Sequence, residues 1–275
     1  MTSFHHTPAA PQDQCRLACE SCSAKKKSQI PAQEGLESAW ARFLQTRRIW
    51  EFTRGKFASG DFQSEKQLDK TMIDVDAIVE LQTQTVARWH QMPVDNAYDG
   101  MLSTICQQHS FNYLLWHEED IARSRDVSDA EIARVKRSID GYNQNRNDWI
   151  EKVDDEITAL VKSSAVNVTE NASMNTETPG CTIDRLSILA LRIYHLREQL
   201  ERDDVEQSHL DSVNHKIAVC LLQQNDLKTS LQQLLTDIFA GRKKHRTYRQ
   251  FKMYNDPTLN PFLYQAQAIA GASTE

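Results

Sequence analysis

The chain has 275 residues, enough to bury a sizeable core in one domain or two. Hydrophobic residues make up 40% and charged residues 25%, with only 8 Gly and 7 Pro, which favours helices over a turn-rich β fold. A formal net charge of −6 excludes a global attraction for nucleic acid, so any anion-binding surface has to be local.

Residues 1–34 are polar, with Pro, Gln, Ser and a Lys25–Lys27 run, and read as a disordered arm. The opening MTSFHHTPAAPQDQ has no hydrophobic segment behind a basic start, so it is not a secretory signal. No apolar run approaches the ~20 residues of a spanning helix. Cytoplasmic residence with reduced thiols is the expectation. Cys15, Cys19 and Cys22 have the CxxxCxxC spacing that also holds an iron–sulfur cluster in radical enzymes using S-adenosylmethionine. The rest of the chain lacks the βα alternation of such enzymes, and a closed zinc site wants a fourth ligand. His5 and His6 could supply one without being specific, so the arm is read first as inert, with adventitious metal binding and then a cluster as the alternatives.

A helix is predicted over 35–55, carrying Leu36, Trp40, Phe43, Leu44 and Trp50, before a Gly-containing loop at 52–61. A second spans 64–91, with Met72, Val75, Ile78, Leu81, Val86 and Trp89, and ends at Pro93 and Asp95–Asn96. The third covers 97–124. Ser128 and Glu131 form a capping box that opens the fourth, 129–162, with apolar residues from Ile132 to Leu160 at helical spacing. The stretch SSAVNVTENASMNTETPG then reads as a loop lying over something or as a mobile connector. The fifth helix is expected from about Thr182 to Arg202, with Asp184 in its first turn. The sixth, 205–240, has the cleanest stripe, and Gly241 stops it. The expected fold is all-α: a six-helix bundle over 35–264 with a short irregular or helical C-terminal extension, then a flexible tail at 265–275.

The third helix raises the functional question. Leu102, Ile105, His109, Asn112, Trp116, Glu119 and Arg123 follow one another at steps of three and four, so they share a face. That face begins as core and ends as a carboxylate and a guanidinium. Arg146 lies on the apolar stripe of the fourth helix. The fifth helix is apolar on two sides, and Asp184 and His195 lie on one of them. Charges survive burial only when paired or bound to a cation. Glu119, Asp120, Arg146, Asp184, His195 and His209 therefore imply a connected polar layer, either a ligand site or a structural network such as Arg146–Glu119. By helix geometry, His117 is rotated ~100° from Trp116, and Glu118 faces outward.

A di-metal bundle needs two Glu-x-x-His units. Glu206–His209 is one, His195–Glu198 has the reverse order, and the second unit is missing. No nucleophile elbow, phosphate loop or dinucleotide fingerprint is present. Arg242, Lys243, Lys244, Arg246, Arg249 and Lys252 interleave with Tyr248, Phe251 and Tyr254 and contain no acid. This is either a solvated helix end or a local anion-seeking surface, and two turns at Asn255–Pro257 and Asn260–Pro261 follow it. Such a surface suits a phosphate or sugar better than a duplex, which wants a longer positive face.

The segments NYLLWHEEDIAR, NQNRND (143–148), NTETPGCTIDRLSILALRIYH (175–195) and YRQFKMYNDPTLNPFLY (248–264) resemble an uncharacterised family of bacterial helical proteins. Its members are often encoded among glycosyltransferases for lipopolysaccharide and other surface glycans. The resemblance covers about 100–264 and implies a genomic setting, not a mechanism. The function expected from residues and resemblance together is binding, or acting on, a phosphorylated sugar or nucleotide-sugar in an internal polar pocket. There Arg146, Arg249 and Lys252 would hold the anion. Glu119, Asp184 and His209 would bind hydroxyls, carry acid–base steps or hold a divalent cation, and Asn112, Trp116, Asn255 and Asp256 would complete ligand binding. The alternatives are a non-enzymatic adaptor docking a glycosyltransferase through the basic aromatic tail, and a metal-dependent helical-bundle enzyme.

Overall fold

The structure is a computed structural model and describes residues 73–265. The arm with its three cysteines, the helix expected over 35–55 and the first part of that expected over 64–91 lie outside the described residues. Five long α-helices follow one another: α1 (Val75–Trp89), α2 (Gly100–Ala122), α3 (Asp129–Ser163), α4 (Pro179–Leu200) and α5 (Gln207–Phe239). A 3-10 turn at Met253–Asn255 and a last helical turn at 261–265 complete the chain. The fold is all-α, with no strand among the described residues.

The chain divides into two compact units. In the smaller, the described residues are 73–75 and 88–95. Asp95 there accepts from the Trp89 indole at 3.0 Å and pairs with Arg88 at 2.8 Å, which ties the segment after α1 back onto its last turn. The larger unit holds 76–87 and the residues from Asn96 onward. Within it α2 packs along α3, α4 packs along α5, and α4 also touches α2 and α3.

Local chemistry explains the ends. Ser128 caps α3 and accepts from the Glu131 amide at 3.2 Å, as the capping box requires. Gly241 ends α5 with φ +71°, a conformation that suits glycine, and a Cβ there would stand 2.1 Å from the Asn167 carbonyl oxygen. The segment at 163–178 lies over that corner. Thr169 donates its amide to the Gly241 carbonyl at 2.9 Å, and the Lys244 amide donates to Ser173 at 2.9 Å.

The start of α4 differs from the sequence expectation. The helix opens at Pro179, not Thr182, because Thr178 is the cap and accepts from the Cys181 amide at 3.2 Å. Proline suits this first position, where its missing N–H costs nothing. Asp184 consequently lies in the second turn. The acid that serves the α4 N-terminus is Asp154 of α3, whose Oδ1 accepts from the Gly180 amide at 2.8 Å. α4 is buried on two sides, as its double apolar pattern predicted: Leu186, Leu189 and Ile193 on one, Asp184 and Leu191 on the other.

A polar cleft as the candidate functional site

The stripe on α2 passes from core to cleft along its length. Ile105 and His109 are fully buried and Asn112 nearly so, while Trp116 and Glu119 are half-buried and Arg123 is exposed. At the buried end Asp184 of α4 gathers donors from two other helices. Its Oδ1 accepts from Gln108 Nε2 at 2.6 Å, Asn112 Nδ2 at 2.9 Å and Arg146 Nε at 2.8 Å, and its Oδ2 accepts from Arg146 Nη2 at 2.5 Å. Arg146 is thus a two-pronged partner of Asp184, not of Glu119. The carboxylate holds the Arg146 guanidinium further above its usual value. Asn112 also donates to Ser187 Oγ at 2.8 Å, and Ser187 lies 2.6 Å from His109 Nδ1. Burial pushes the His109 imidazole down to about 3, so it is neutral at physiological pH.

Above this network a cleft of about 470 Å³ opens between α2, α3 and α4. Its walls include Asn112, Trp116, Glu119, Asp120, Asn143 and Arg146. Trp116 stacks on His195 with ring centres 4.9 Å apart and planes 8° from parallel. His195 Nδ1 is 2.8 Å from Glu198. Glu119 pairs with Arg123 one turn on, at 2.5 Å. Desolvation raises the Asp120 carboxyl, opposed by His195 and then Arg123.

Of the expected site residues, Asn112, Trp116, Glu119 and Arg146 line the cleft, and Asp184 anchors it from beneath. The others are elsewhere. His209 sits in the first turn of α5 near Asp204 and is not part of the cleft wall. Arg249 clamps α3 through Glu151 at 3.1 Å and Asp155 at 2.8 Å, so it does not converge with Arg146 on an anion. Lys252 donates to the Asn143 carbonyl at 3.3 Å, which brings it close to a residue of the cleft wall. Asp256 accepts from the amide and hydroxyl of Thr258 at 2.7 and 2.6 Å, a turn-forming role, and Asn255 closes the 3-10 turn.

Glu118 corrects the helix-wheel reading. It is buried, not outward, because α2 is covered by both α3 and α4. Burial raises its carboxyl, and Arg134 of α3 is the opposing charge. His117 is buried too. The reading from sequence also missed Gln108 and Ser187. Each lies one turn from a residue already singled out, Asn112 and Asp184, and that spacing was the available signal.

No curated protein and no solved structure matches the chain. A family model described as a protein of unknown function, DUF4254, matches residues 102–247, more than half of the chain and all of the helices that build the cleft. The chain, with its Asp184-centred network and the cleft above it, belongs to the DUF4254 family.

Proposed function

We propose that the cleft binds the sugar part of a phosphorylated sugar or nucleotide-sugar and that the protein serves cell-surface glycan synthesis. The observation that carries this reading is the cleft wall itself. An indole lies beside two amides, two carboxylates and two guanidiniums in about 470 Å³. Sugars present apolar C–H faces and dense hydroxyls, so an aromatic surface ringed by groups that both donate and accept is the complementary chemistry. The buried network supports the same reading, because it fixes Asn112 and Arg146 in place before a ligand arrives. The anion half is supported less broadly than the sequence suggested, since Arg146, Arg249 and Arg123 are all paired with carboxylates. The Arg123–Glu119 pair lies exposed at the rim, where solvent weakens it, so Arg123 and Lys252 near Asn143 are the cations best placed for a phosphate.

The test is differential scanning of the full chain against a panel of sugar nucleotides and sugar phosphates, with and without divalent metal. At 100-fold excess over Kd a true ligand adds about 2.7 kcal/mol of stability. At least one compound should raise the Tm of the native chain, and Trp116→Ala should erase that rise. A panel that moves nothing defeats the reading.

A second reading, a non-enzymatic adaptor for a glycosyltransferase, is favoured by one observation. Phe251 is 83% exposed and Phe262 85%, and Met253 and Tyr254 are also exposed. In that case, loss of residues 242–264 would abolish co-purification with a co-expressed glycosyltransferase, whereas Glu119→Gln would leave cellular function intact.

A further inference from the structure

Behind Trp116 lies a pair of imidazoles that the sugar reading does not use. His117 comes from α2 and is 8% exposed, and His195 comes from α4. Each offers a ring nitrogen, and the two nitrogens lie within 4.8 Å of one another. We propose that His117 and His195 are two protein ligands of a divalent transition-metal ion, zinc in the first instance.

Three features point this way. The first is reach: two nitrogens sharing one tetrahedral ion at about 2.0–2.1 Å each stand roughly 3.3 Å apart, so a small ring movement closes the pair on an ion. The second is the orientation of His195. Glu198 Oε2 is 2.8 Å from its Nδ1. An ionised carboxylate only accepts, so Nδ1 carries the hydrogen and the lone pair of the neutral ring is on Nε2. A carboxylate behind a histidine is the arrangement that fixes tautomer and ring angle at metal centres. The third is rigidity. His195 is sandwiched against Trp116 at 4.9 Å and meets Tyr194 edge-on at 5.4 Å. His117 meets Tyr113 edge-on at 4.5 Å, and the two imidazoles are themselves nearly perpendicular, at 80°.

Asp120 follows His117 by three residues, so its carboxylate shares a face of α2 with that imidazole. Imidazole donors select zinc and its neighbours over magnesium or calcium, which prefer oxygen. The site is distinct from the Glu206–His209 unit on α5, and it does not depend on the cleft binding a sugar.

The experiment uses the full chain, stripped with chelator and titrated with Zn²⁺ or Co²⁺. One equivalent should bind, measured by elemental analysis and by the visible d–d absorption of cobalt. His117→Ala and His195→Ala should each weaken binding more than 100-fold. Glu198→Gln should weaken it about 10- to 100-fold while keeping the stoichiometry, the effect expected of an orienting partner. A Cys15→Ser, Cys19→Ser, Cys22→Ser variant should bind as the native chain does, with no thiolate-to-cobalt charge-transfer band. Should a histidine variant fail to fold, Glu198→Gln decides the matter. The proposal is overturned if the native chain takes up no ion, if the histidine and Glu198 variants bind unchanged, or if the triple serine variant loses the ion.

Discussion

At the scale of single residues, Asp184 and His109 set the energetics. Asp184 is 5% exposed and accepts from Gln108, Asn112 and Arg146. Removing the guanidinium leaves two neutral amides to hold a buried charge. Arg146→Met should therefore cost about 3 kcal/mol, the lower end for breaking a buried pair because Arg146 is partly open to the cleft. Urea denaturation measures it, and replacing Asp184 by Leu in the same chain should recover much of the loss. His109 predicts a pH dependence. Its folded value is lowered to about 3 from 6.5. Between those values the unfolded chain takes up a proton that the folded chain refuses. Stability is thus fully present above about pH 6.5 and falls by up to about 1.4 kcal/mol per pH unit as the pH drops toward 3. Burial raises the carboxyls of Asp154, Glu118 and Asp120, and these act in the opposite sense, favouring the folded state as they protonate. The contribution of His109 is isolated by difference. Compared with the native chain, His109→Gln should lose less stability between about pH 7 and pH 4 in parallel denaturant titrations.

At the scale of elements, two glycines fix how the helices meet. Gly180 lets α4 approach α3 so closely that a Cβ would stand 2.7 Å from the Ile150 carbonyl oxygen and 2.9 Å from the Asp154 carboxylate. Gly180→Ala must push α4 away and should cost about 1–3 kcal/mol. Gly241→Ala meets both a backbone oxygen and a left-handed φ, and should cost at least about 2 kcal/mol. Ser128→Ala, a lost cap alone, should cost about 1 kcal/mol and calibrates the pair in thermal melts. These cases also mark what was legible in the sequence. Ser128–Glu131 and Gly241 announce helix ends because capping is local. Pro179–Gly180 was read as loop because its reason is not local: the glycine serves the α3 contact. The polar stripe on α2 and the two-sided burial of α4 were visible in residue spacing. The partner of Arg146 was not, since Glu119 and Asp184 both lie on inward faces and the axial offset of the helices decides between them. Glu118 was misjudged because a helix wheel with one buried face cannot represent a helix covered from two directions.

At the scale of the whole molecule, the chain after Gly241 gives back little apolar surface to the core. Residues 243–248 run extended against the end of α3 and alternate their sides. Lys243, His245 and Thr247 turn inward, to Asn175, to the Asp154 carbonyl and to Asp155, while Lys244, Arg246 and Tyr248 face out. This period of two is why no helical pattern emerged from RKKHRTYRQFK. Arg249 and the Gln250 amide continue the attachment through Asp155 and Glu151. Phe251 then takes a φ of +35°, uncommon for a bulky residue, and stands 83% exposed. Polar anchors hold the segment while its aromatic side chains remain in water, so attachment and exposure can be separated by substitution. Phe251→Asp with Phe262→Asp should leave unfolding within about 0.5 kcal/mol of the native chain, the usual range for surface changes that touch no buried group. If these rings dock a partner, the same double substitution should abolish co-purification with a glycosyltransferase while ligand-induced stabilisation of the cleft persists. Loss of stability together with loss of binding would instead mean that the rings pack within the fold.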